Sequence, residues 1–129
     1  MIVFEVPSGE LVDELNRPAA EAGITDATIV SLIGAADSFT VSTMPEGDAL
    51  KDNITKYELP AEMTGTSGIR NGFVHLHVVM GAEGDRAIAG HLHEAHIGTH
   101  FARAYVMPQL SPRGAFTDVQ PWAGRPQAV

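Results

Sequence analysis

No cysteine occurs among the 129 residues. Disulfides and thiolate metal sites are therefore excluded, and histidine and carboxylate remain as ligands. Cations are scarce as well: 8 Lys and Arg stand against 16 Asp and Glu, a formal charge of −8. Non-specific grip on duplex DNA comes from neutralising phosphates, so direct DNA binding is not expected of a chain with this charge and no Lys/Arg cluster. No apolar run approaches the roughly 18 residues a membrane span needs. The opening stretch from Met1 to Val6 lacks the basic flank of a signal peptide and reads as an opening or edge strand. A soluble, cytoplasmic protein with no membrane partner is expected. Internal repeats are missing, and Gly65 and Gly68 are too sparse for a phosphate loop; they read as close strand packing or a bulge.

What the chain has is histidine, concentrated in one place. All six lie between Gly72 and Met107, at positions 75, 77, 91, 93, 96 and 100. In Phe73 to Val79, His75 and His77 alternate with Val74, Leu76 and Val78, the period-2 pattern of a strand with histidines on one face and aliphatics on the other. Their α-carbons then stand roughly 6.5–7 Å apart, close enough for both imidazoles to turn toward one metal ion. Gly81 to Asp85 has the composition of a hairpin turn, which predicts an antiparallel neighbour carrying Ala87 to Leu92. His91 on that neighbour is the third candidate ligand. Three histidines with an open fourth position suit zinc or another divalent transition metal. The competing reading is of half-buried, hydrogen-bonded histidines with no metal. His93, His96 and His100 read as solvated polar side chains, with a second cluster or a pH-sensitive surface as the alternatives.

The composition, 44% apolar and 19% charged, is that of one globular domain. Pro7 to Glu10 looks like a helix start, with Ser8 able to cap and Glu10 in the first turn; Leu11, Leu15, Ala19 and Ala22 give an apolar stripe that Gly23 closes. Pro18 lies within it, and the helix is expected to continue past it, kinked or after a short second turn, to about Ala22. Residues 26–33 and 38–44 read as two strands joined in a hairpin through Gly34 to Asp37, and the acidic segment from Pro45 to Asn53 as a surface loop. Residues 54–59 and 62–69 read as short strands broken by Pro60 and Gly65, and a single strand over Ala95 to Met107 is expected to close the sheet. The remainder, 109–129, is a Pro- and Gly-rich tail after a 1–108 domain.

Taken in order, Pro7-Ser8-Gly9-Glu10-Leu11, Gly23-Ile24, Ile33-Gly34-Ala35, Tyr57-Glu58-Leu59, Thr64-Gly65, His75-Leu76-His77-Val78 and Gly90-His91-Leu92 resemble the PPC domain, the "plants and prokaryotes conserved" domain. The resemblance covers roughly residues 1–107. It implies an α+β fold, a mostly antiparallel sheet flanked by one main helix, assembled as a homotrimer, with His75, His77 and His91 as metal ligands. It also implies a stand-alone prokaryotic type, often labelled DNA-binding by analogy with plant proteins in which the domain accompanies AT-hooks. Here Pro112-Arg113-Gly114 and Gly124-Arg125-Pro126 each hold only half of a hook. Pro60 departs from the family's smooth strand after Leu59. A cupin also carries His-X-His, but Glu83 lies too far beyond His77 and the second cupin motif is missing.

Two functions follow from these residues. One is a homotrimeric binding or regulatory module with a three-histidine metal site and a protein or small-molecule partner. The alternative is a zinc-dependent hydrolase or lyase acting on a small molecule, for which Glu94 and Glu83 are the nearest carboxylates to serve as catalytic base.

Overall fold

The computed structural model describes residues 1–109; the tail expected over 109–129, with its two half-hooks and Trp122, lies almost wholly outside them. The element order is β1 (Ile2–Val6), β2 (Gly9–Glu10), α1 (Leu11–Glu21), β3 (Ala27–Ala36), β4 (Ser38–Thr43), β5 (Asn53–Tyr57), β6 (Ala61–Arg70), β7 (Phe73–Ala82), β8 (Arg86–Ile97) and β9 (Ala102–Pro108). The strands form a single antiparallel sheet in the order β1-β9-β3-β6-β7-β8-β4-β5, with the two-residue β2 paired to β8. A mostly antiparallel sheet with one helix is the architecture the sequence implies, and β1 lies at an edge as expected. No helix among the described residues is long and apolar enough to cross a membrane.

The helix packs its stripe of Leu11, Leu15 and Ala19, all fully buried, onto one face of the sheet. It starts at Leu11 with Glu10, not Ser8, as its cap: β2 carries the chain past Ser8 in extended form, and the Glu10 carboxylate accepts the N–H groups of Val12 and Asp13 at 3.1 Å. The same carboxylate accepts the N–H of Ala95 in β8 at 3.0 Å. Further along, Asn16 Oδ1 accepts the N–H of Val74 in β7 at 2.8 Å. The helix is thus tied to both strands that carry the histidines. Its end is a Schellman cap, Gly23 N–H to Ala20 O and Ile24 N–H to Ala19 O. Pro18 costs no break, because the helix runs on through it to Glu21.

Residues 26–33 and 38–44 do not form the expected hairpin. β3 pairs with β6 and β9, whereas β4 pairs with β5 and β8. Strand directions alternate along the sheet, so β3 and β4 run the same way and the chain passes between them without reversing. Four strand spacings, about 19 Å in a flat sheet, separate them in the order, yet only Asp37 joins them. The sheet must therefore curl round its core. Asp37 makes the corner: its N–H donates to His96 O at 2.8 Å, and its carboxylate accepts the N–H of Thr99 at 3.0 Å.

The strand expected over Ala95 to Met107 turns the same corner. It is β8 and β9, interrupted by residues 98–101. Two long bent strands, β3 with β4 and β8 with β9, thus pair along their length on both sides of the bend. Pro60 stands between β5 and β6, where it removes no ladder hydrogen bond. Gly65 does not break β6, which runs through it from Ala61 to Arg70; it serves close packing, since a Cβ there would lie 2.7 Å from the His77 carbonyl oxygen.

Candidate metal centre

β7 and β8 form the hairpin that the Gly- and Asp-rich turn predicts, with Glu83, Gly84 and Asp85 between them and Asp85 in the left-handed region at φ +59°. The register sets His77 directly opposite His91. Val74, Leu76 and Val78 turn inward, Leu76 and Val78 fully, while His75 and His77 share the outer face. Gly90, beside His91, is needed where β4 crosses close to β8, because a Cβ there would lie 2.5 Å from Ser42 O.

This register brings the three rings together. Ring centroids are 5.0 Å apart for His75 and His77, 4.5 Å for His75 and His91, and 5.9 Å for His77 and His91. One ligand nitrogen from each lies within 4.8 Å of the others. Metal–nitrogen bonds of about 2.0–2.1 Å set ligand atoms of a tetrahedral ion about 3.4 Å apart, a difference within the range of side-chain rotation. The donor set fits such an ion, being all imidazole. His91 Nδ1 adds a second sign of fit: it is buried and has no hydrogen-bond partner among the described residues, a cost that an unliganded native site would not ordinarily carry.

The neighbours orient the rings. Ser67 Oγ and His75 Nδ1 share a 3.1 Å hydrogen bond, which leaves Nε2 of His75 free. Ser67 sits at φ +148°, a conformation side chains rarely adopt, beside a bulge where β3 runs past β6. Loss of water around His75, and then the nearby His77 ring, push its pKa below the ordinary value. His91 is pushed down by burial first and by His75, His93 and His77 after that, with Asp52 pulling the other way. Two rings held neutral are two rings ready to ligate.

The triad lines a cleft of about 800 Å³, within the size range of small-molecule sites. Its walls are Val78, Val79 and Ala89 from the hairpin and threonines of β6, and Met44, Ala49 and Asp52 reach it from the loop between β4 and β5. Asp52 and Ser67 carry no signal in the sequence: one lies in a stretch that reads only as an acidic loop, the other in a strand whose bulge depends on a distant partner. Glu94 is not brought to the triad. It accepts a hydrogen bond from Thr40 Oγ1 at 3.1 Å and lines a separate small cavity with His96 and Lys56. Glu83 stays in the hairpin turn and does not line the cleft. His93 shares a 2.8 Å hydrogen bond with Ser42 Oγ, and His100 sits at the corner near Phe101 and Glu62.

Residues 1–108 match the family model described as the Plants and Prokaryotes Conserved (PCC) domain. No curated protein matches the chain. Among solved structures it is similar to a metal-containing protein from Archaeoglobus fulgidus, at 22% identity and a TM-score of 0.67 over 83% of this chain and 77% of that one. A plant- and prokaryote-conserved protein from Pyrococcus horikoshii superposes with a TM-score of 0.66 at 21% identity, covering 84% and 78% of the two chains. A Bacteroides thetaiotaomicron protein provisionally described as DNA-binding does so with 0.68 at 25% identity, covering 86% and 79%.

Proposed function

The chain belongs to the Plants and Prokaryotes Conserved domain family, and from that premise we propose that it is a homotrimeric binding or regulatory module whose His75, His77 and His91 hold a divalent transition metal, zinc by geometry and availability. The observation that carries this reading is the convergence of three imidazoles within 4.8 Å, one with a buried and unpartnered nitrogen. The metal-containing relative from Archaeoglobus fulgidus supports it. The provisional DNA-binding description of another relative does not outweigh a formal charge of −8, and the partner is a small molecule or a protein rather than bare DNA.

Support for the trimer lies on the sheet face away from the helix, where Val30 and Ile33 of β3 are 43% and 37% exposed. An apolar face of that kind suits burial against further copies of the chain.

Elemental analysis and sedimentation of untagged protein test both halves. One metal per chain, absent from a folded His75→Ala, His77→Ala double variant, and a mass near three times 13.7 kDa are the expected results. No metal after incubation with zinc would overturn the site, and a monomer would overturn the assembly. A second reading, a zinc-dependent hydrolase or lyase, draws on Asp52, the one carboxylate lining the cleft among the described residues. Turnover of an activated ester by zinc-loaded protein, lost in Asp52→Asn, would favour it.

A further inference from the structure

The cleft beside the triad has a chemistry of its own. One wall carries the three histidines, and beyond them Val79, Ala89, Ala49 and Met44 supply mostly apolar surface. Among the described residues no Lys or Arg lines it, and Asp52 is the one formally charged residue that does. Lys51, next in sequence, is turned to Asp48 at 3.8 Å within the same loop. That loop is also held by Asp48 Oδ1 accepting the N–H of Leu50 at 3.0 Å and by the N–H of Asp48 donating to Pro45 O at 3.3 Å. Met44, Ala49 and Asp52 are thereby presented to the cleft by a braced loop.

Charge and shape together narrow the occupant. Three neutral imidazoles and a divalent ion leave a charge of plus two, Asp52 cancels one unit, and a single negative charge on a ligand balances the remainder. A second anionic group would find no cation among the described residues and would face Asp52. The rest of the ligand meets apolar walls, where burial of each methylene is favourable. We infer that this cleft is a binding site for a small monoanion with an apolar body, a medium-chain or aromatic monocarboxylate in chemical class, its carboxylate directed at the triad and its body laid along Val79, Ala89 and Met44. The inference rests on the triad holding a metal.

The test uses cobalt-loaded full-length protein with metal content determined on the same sample, read by calorimetry and by the visible bands of the cobalt site. Acetate, butyrate and hexanoate are titrated beside succinate and inorganic phosphate. Expected are hexanoate binding with a shift of the cobalt bands, affinity rising by roughly fourfold per buried methylene from acetate to hexanoate, and at least tenfold weaker succinate and phosphate. Val79→Gln, at an exposed wall position, is expected to flatten the chain-length dependence while keeping the metal, and Asp52→Asn to narrow the gap between hexanoate and succinate. Equal affinity for acetate and hexanoate, tight phosphate binding, or hexanoate binding undiminished in metal-free protein would each overturn the proposed ligand class. A sample that holds no cobalt would overturn the metal reading itself, and the metal determination separates that failure from the others.

Discussion

His75, His77 and His91 behave as one group, while His93, His96 and His100, drawn from the same stretch of chain, do not. His91 and His93 are two residues apart with ring centroids 4.7 Å apart, yet His93 spends a ring nitrogen on Ser42. His77 and His91 are fourteen residues apart and meet because β7 and β8 pair in one register. His96 lines a cavity with Glu10 and Glu94 beside the corner, and His100 lies in the corner itself. Which histidines converge is decided by strand register, not by the density of histidine in the sequence.

The largest effect that would break this division is loss of metal. His77→Ala is expected to abolish stoichiometric zinc binding, whereas His96→Ala and His100→Ala leave zinc affinity within about twofold, as measured by chelator competition; equal losses in all three would dissolve the distinction. Next comes the register itself. Gly90→Val sets a Cβ 2.5 Å from Ser42 O and is expected to cost about 1–3 kcal/mol in urea unfolding and to weaken zinc binding with it. The two serines sharpen the comparison further. Ser67→Ala, which removes the partner of His75, should lower zinc affinity roughly tenfold, while Ser42→Ala, which frees His93, should cost only about 1 kcal/mol of stability and leave the metal in place.

The smallest effect is on pH. Burial and neighbouring rings hold His75 and His91 below the ordinary histidine pKa, so near and below about pH 6.5 the unfolded chain takes up more protons than the folded one. Stability of the metal-free protein should therefore fall as pH drops from about 7 toward 5, and rise again on return. Replacing His75 and His91 with Gln should flatten that slope, as read from urea unfolding across the same pH range.

The convergence of the three histidines was legible because its elements are local. Alternation gave the faces of β7, the turn at 83–85 gave its partner, and the register needed nothing from the rest of the chain. The helix stripe was legible for the same reason. Asp37 was not. Gly34-Ala35-Ala36-Asp37 has the residues of a tight turn, but the alternative of a bent strand depends on the His96 carbonyl and the Thr99 amide, some sixty residues later. The same distance hid the break between β8 and β9, since nothing in Gly98 to Phe101 interrupts the pattern until Asp37 is placed against it. Asp52 was hidden because a loop's polar residues look alike until the surface beneath them is known.

Pairing of β1 with β9 has a consequence in time. Ile2 to Val6 sit opposite Ala102 to Val106, and β9 lies between β1 and β3. On the ribosome, the earliest residues must wait for nearly the whole of this domain to emerge before their ladder can form, and β3 lacks one of its two neighbours for the same interval. Such distant pairings slow folding and leave strand edges open meanwhile. The hairpin of β7 and β8 has only three residues to close and does not wait for that pairing, so a local step gathers the histidines while a distant one completes the sheet.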